Sequence, residues 1–196
     1  MPNRTLQLSS AGTRRDRLRI GVRWMVSFVG FPLGGFAALL VIGRVESLWS
    51  ALAGGLITGL FVGAAQVWGV RERWSSRFAV RWIAATAIGL MVGLGVGSRV
   101  VDYGTSLAAL VVQGAICGLF VGAGQALVLG ERIPRLAPAW PVALGAIWAI
   151  GWVVTTLSGI QVDQQFTVFG SFGAITVTAL TAVLPFILHR NGARAS

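Results

Sequence analysis

The stretch GLFVGAAQ at residues 59–66 is written again as GLFVGAGQ at 118–125. Each copy runs through apolar residues and stops on a glutamine. Glycines recur at every fourth position around both: Gly55, Gly59 and Gly63 in the first, Gly114, Gly118 and Gly122 in the second. A third series, Gly89, Gly93 and Gly97, lies between them. At about 100° per residue, positions four apart stay on one narrow stripe of an α-helix. Such a stripe is a groove that admits a neighbouring backbone. In lipid, where helix association has little hydrophobic drive, close approach through small residues replaces it. The nine glycines are therefore read as helix-packing positions; the other reading makes them the wall of a narrow pore or ligand cleft.

Gln66 follows Gly55 by eleven residues, about 20° around the helix, and Gln125 has the same relation to Gly114. Both amides thus sit on their glycine stripe. A buried amide needs partners. It acts either as a polar clip that sets helix register or as a ligand for a solute or ion. The aligned positions further on are Gly173, Val177, Thr181 and Leu184, with no glutamine. Because Leu184 already stands in that place, Gln66→Leu and Gln125→Leu are expected to have little effect on stability.

The octapeptides belong to a longer unit. Trp24, Trp82 and Trp140 are 58 residues apart, as are Gly35, Gly93 and Gly151; Gly55, Gly114 and Gly173 are 59 apart. This spacing predicts three helical hairpins, 19–76, 77–134 and 135–190, with a polar basic tail at 1–18 and a short tail at 191–196. Units with an even number of spans share one orientation, so the repeats are parallel, about an axis along the membrane normal.

The membrane follows from composition. Hydrophobic residues make up 55% of the 196-residue chain and charged residues 11%, against about 25% charged in soluble domains. Stretches 24–43, 47–70, 82–98, 103–130, 136–162 and 164–188 contain no Asp, Glu, Lys, Arg or His. A spanning helix needs roughly 20 apolar residues. The expected fold class is an all-α integral membrane protein of six transmembrane helices. The 1–18 segment lacks the apolar core of a signal peptide, so the first span is expected to remain as an anchor.

All sixteen basic residues are arginine. Arg4, Arg14, Arg15, Arg17, Arg19, Arg23, Arg71, Arg73, Arg77, Arg81, Arg132, Arg135, Arg190 and Arg194 fall on one side of the spans; Arg44 and Arg99 fall on the other, beside Glu46, Asp102 and Asp163. The positive-inside rule then puts both ends in the cytoplasm. The +10 charge points to anionic lipid headgroups as partners rather than to nucleic acid, because the arginines flank spans. Trp24, Trp82 and Trp140, with Trp68 and Trp74, are expected to form an aromatic belt at the headgroups. Trp148 and Trp152, four apart, make a bulky face suited to a glycine groove or an apolar ligand.

GLFVGAAQVWGV and GLFVGAGQALVLGERIP together resemble uncharacterised multi-pass bacterial membrane proteins that carry repeated glycine-rich hairpins. The likeness covers the second and fourth spans well and the sixth poorly. It implies a bacterial cytoplasmic membrane and brings no activity, substrate or cofactor with it.

Little chemistry is written in the chain. His189 is the lone histidine and Cys117 the lone cysteine, so a bis-His haem or a zinc cluster within the chain is not expected. No nucleophile–base pair is evident and no metal site is expected; the sequence names no particular cofactor. The expected function is non-enzymatic: a structural or accessory protein, or one that binds lipid, an apolar ligand or partner helices, with a homo-oligomer or partner subunit in view. The alternative is a small-solute channel or transporter.

Overall fold

The computed structural model describes residues 3–70, 74–159 and 170–192, with side chains from residue 15 to residue 187 within those segments. Among the described residues every regular element is helical. α1 (Asn3–Val26) passes through a 3₁₀ turn (Ser27–Val29) into α2 (Gly30–Ile42); then follow α3 (Leu48–Val70), α4 (Ser76–Val100), α5 (Leu107–Leu129), α6 (Trp140–Leu157), α7 (Ser171–Leu180) and α8 (Val183–Gly192). Among the described residues five segments are long and apolar enough to cross a membrane: Arg15–Ile42, Leu48–Val70, Ser76–Val100, Leu107–Leu129 and Ala137–Leu157. A sixth apolar segment, Ser171–Ile187, is shorter and interrupted. The first residues of the expected sixth span, with Arg71, Arg73 and Asp163, lie outside the described residues, as do the side chains of Arg4, Arg14, His189 and Arg190. The segment read as a polar tail is helical from Asn3 onward and continues without a break into the first apolar run.

The helix ends follow from local chemistry. Ser75 and Ser106 cap α4 and α5, their hydroxyls accepting the N–H groups of Phe78 at 3.3 Å and Ala109 at 3.2 Å. Each satisfies one of the donors that a helix start leaves free. Ser47 does the same for Ser50 N–H at the start of α3, at 3.2 Å. Gly43 stops α2 with φ of +81°, a conformation glycine adopts without strain. The interruptions have a cause in proline. Pro32 has no N–H to give the Phe28 carbonyl, and the chain just before it tightens to 3₁₀. Pro185 likewise denies a donor to Thr181, whose carbonyl takes Leu184 N–H at 3.0 Å instead, where α7 breaks into α8.

Successive helices pack on one another in chain order, α2 on α3, α3 on α4, α4 on α5, α5 on α6 and α6 on α7; α7 then returns to the turn at Ser27–Val29 and closes the ring. The inside is apolar and so is the outside. Leu40 and Val41 of α2, Trp49 of α3, Leu127 of α5 and Leu157 of α6 are exposed large side chains. Exposed charges gather at the ends, with Arg44, Glu46, Arg99 and Asp102 at one end and Arg77, Arg81, Glu131 and Arg132 at the other. Helices apolar on both faces fit a surrounding of hydrocarbon.

Candidate functional site

The glycine stripes are the floor on which the site is built. A Cβ on Gly55 would lie 2.6 Å from the Leu90 carbonyl oxygen, one on Gly59 2.6 Å from Ala87 Cα, and one on Gly63 2.9 Å from Ile83 Cα. The α3 stripe therefore presses directly on the α4 backbone. The α4 stripe in turn faces α5: an added Cβ would lie 2.7 Å from Val121 Cα at Gly89, 2.8 Å from Cys117 Cα at Gly93 and 3.2 Å from Gln113 Cγ at Gly97. The α5 stripe faces α6: a Cβ on Gly114 would collide with the Trp152 indole, one on Gly118 with the Leu144 carbonyl oxygen, and one on Gly122 would lie 2.6 Å from Pro141 Cα. Each stripe meets the next helix in the chain. Trp152 fills the groove at Gly114, while Trp148 turns to Phe31 of α2, ring centroids 5.7 Å apart.

The same pattern begins earlier than the sequence reading placed it. Gly30 and Gly34 of α2 face α3, where added Cβ atoms would come 2.7 Å from Ala65 Cβ and 2.9 Å from Thr58 Cα. Their four-residue spacing was the available signal. Gly124, inside the second octapeptide, also faces α4, where an added Cβ would lie 2.7 Å from the Ala85 carbonyl oxygen. Nothing in its spacing sets it apart.

Close backbones bring the two glutamines within reach of each other. Gln66 Oε1 accepts the Trp82 indole N–H at 2.8 Å. Gln125 Oε1 accepts the Trp140 indole N–H at 2.9 Å, and its amide donates to Thr86 Oγ1 at 2.9 Å and, more weakly, to Gln66 Oε1 at 3.5 Å. Each indole thus reaches the glutamine that ends the preceding glycine stripe, 16 residues back from Trp82 and 15 back from Trp140. Gln125 is 2% exposed and Gln66 half-buried.

Trp24 stands at the corresponding point of the first unit, where the partner would come from the end of the chain. That position holds Leu184, which has no acceptor. The break after α7 supplies one. Ala182 N–H bonds the Ala179 carbonyl at 3.1 Å rather than the Thr178 carbonyl, and Thr178 O accepts the Trp24 indole at 3.0 Å, with Thr181 Oγ1 also donating to it at 3.1 Å. A freed backbone carbonyl takes the place of the missing amide. The three tryptophans are consequently not the interfacial belt expected of them: Trp24, Trp82 and Trp140 are 1%, 0% and 4% exposed. An indole N–H that finds an acceptor inside the bundle has no need of headgroup water. Trp74 is also buried, stacked edge-on with Trp82 (5.1 Å) and Phe78 (4.7 Å), with the Arg132 guanidinium 4.8 Å from the Phe78 ring. Of the five, only Trp68 is exposed.

The tryptophans and glutamines surround a central cavity of about 10 Å³, bordered also by Thr181, Leu144 and Leu184. One water needs roughly 10–15 Å³. Nearby buried hydroxyls return to their own helices, Thr155 to the Gly151 carbonyl and Thr181 to the Val177 carbonyl, each at 2.9 Å. Such back-bonding satisfies a hydroxyl without presenting a polar wall. At the arginine-rich end Arg81 of α4 pairs with Glu131 after α5, both half-exposed. No protein-family model, curated protein or solved structure matches the chain.

Proposed function

We propose that this chain is a non-enzymatic multi-pass protein of a bacterial cytoplasmic membrane, a structural or accessory element that engages lipids, apolar ligands or partner helices. Three parallel hairpins (19–76, 77–134 and 135–190) surround a pseudo-threefold axis, with both ends of the chain in the cytoplasm. The repeated bonds Trp82–Gln66 and Trp140–Gln125, with Trp24–Thr178 in the third place, support that arrangement.

The observation that carries the functional reading is the filled centre. A ligand site usually offers about 300–1,000 Å³, whereas the space between the glutamines is about 10 Å³. Glycine-to-backbone contacts and bonded indoles occupy the space around these glutamines. Proteoliposomes carrying the purified chain are therefore expected to swell in gradients of glycerol, urea or small sugars no faster than protein-free liposomes. Flux that saturates with solute and falls in Gln66→Leu or Gln125→Leu would move the conclusion to the second reading, a small-solute channel or transporter. That reading is favoured only by the two glutamine amides bordering the same cavity.

The orientation has its own test. Ser76 and Thr105 are exposed at opposite ends of the bundle, and neither is a helix cap. With buried Cys117 left in place, Thr105→Cys is expected to react with an impermeant maleimide on intact cells. Ser76→Cys is expected to react only after permeabilisation. Labelling of both from outside rules out the cytoplasmic placement of the arginine-rich end.

A further inference from the structure

We propose that the groove between α1 and α8 is a binding site for one anionic phospholipid, its acyl chain lying along α1 and its phosphate at Arg17. The proposal rests on the membrane reading above. The groove measures about 540 Å³, within the range of small-molecule sites, and its walls are Leu18, Gly21, Val22 and Met25 of α1 with Phe186 of α8; Arg17 is the charged group among its lining residues.

The groove exists because of the break that closes the ring. Trp24 holds the end of α7 through the Thr178 carbonyl. Beyond Ala182 the chain sets off again as α8, with Pro185 in its first turn, and Phe186 meets α1 where a side chain is missing: a Cβ on Gly21 would lie 3.4 Å from Phe186 Cζ. From Arg17 to Met25 is eight residues, about 12 Å of helix, with the arginine at one end of the stripe and apolar groups along the rest. That is the polarity of a phospholipid, one anion on an apolar chain. Arg15, Asp16 and Arg19 flank Arg17 on the same helix and are exposed. A second copy of the same face would set arginine against arginine, and an apolar partner helix would leave the Arg17 guanidinium without a counter-ion. The charge therefore selects an anionic headgroup over a zwitterionic one.

Native mass spectrometry of the full chain, titrated in neutral detergent with phosphatidylglycerol or phosphatidylcholine, tests this. The parent is expected to retain one phosphatidylglycerol with about fivefold preference, the amount one basic residue near a headgroup supplies. Arg17→Glu is expected to remove the preference. Val22→Trp, at an exposed wall position that disturbs no core, is expected to displace the lipid without lowering the melting temperature. Equal retention of both lipids, an unchanged preference in Arg17→Glu, an occupied site in Val22→Trp, or a stable dimer in place of the lipid adduct overturns the proposal. The membrane reading fails by a separate result, release of the protein from membranes by alkaline carbonate without detergent.

Discussion

Gly118→Leu is expected to lower the melting temperature in detergent by about 6–12 °C, and to do so more than either glutamine substitution. The reason is what the new side chain meets. A Cβ at this position collides with the Leu144 carbonyl oxygen and lies 2.8 Å from Gly145 Cα. Both are backbone atoms of α6, so no rotamer change relieves the contact and the helices must separate. Overpacking costs about 1–3 kcal/mol when side chains can yield, and a rigid wall puts this substitution at the upper end. For a chain of this size 1 kcal/mol corresponds to roughly 2–4 °C. Gly118→Ala is expected to show a smaller loss in the same direction, because the Cβ alone is already too close. Gly130 is the control: its Cβ would be 3.4 Å from the nearest atom, an ordinary contact. Thermal denaturation followed by tryptophan fluorescence would falsify the packing account if Gly118→Leu melted with the parent and Gly130→Ala.

Gln125→Leu is expected to cost about 1–3 kcal/mol, the usual penalty for a buried polar group left without its partner. This replaces the near-neutral effect that Leu184 at the aligned position suggests. Leu184 is tolerated because a broken helix gives Trp24 a carbonyl; no such carbonyl is offered to Trp140. Removing the amide of Gln125 leaves the Trp140 indole, 4% exposed, without an acceptor and takes a donor from Thr86. The average interhelical hydrogen bond in a membrane contributes only about 0.6 kcal/mol, because polar groups find other partners when helices separate. Here the ring of packed backbones prevents that rearrangement. The double variant Trp140→Phe/Gln125→Leu supplies the decisive comparison. Its melting temperature should lie above that of Gln125→Leu alone, since no indole is then left without an acceptor. Strictly additive losses would show that the indole and the amide do not depend on each other.

The all-helical class, five apolar segments long enough to span a membrane and the glycine stripes were legible from the sequence, because each is a property of one helix at a time. Hydrocarbon requires about 20 apolar residues in a row whatever the neighbours, and the four-residue spacing of Gly55, Gly59 and Gly63 defines a groove before anything lies in it. Even the glutamines' place on that groove followed from counting turns. What the chain order could not state was the partner of each group, and there the tertiary structure decided. The tryptophans illustrate this. An indole near a span end satisfies the interfacial rule and the buried rule equally well, and the choice turns on whether an acceptor lies within about 3 Å. Gln66 and Gln125 provide one for Trp82 and Trp140 only because the glycine contacts draw α3, α4, α5 and α6 together. Leu184 shows the converse. From the sequence it meant that a glutamine there could be replaced at little cost, whereas Pro185, by withholding an N–H at a neighbouring turn, loosens the helix so that the Thr178 carbonyl serves in the glutamine's stead. Spacing along a chain determines which face a residue occupies; who stands opposite, and whether a hydrogen bond is left over, depends on backbone positions brought together from segments more than a hundred residues apart, as Trp24 and Thr178 are.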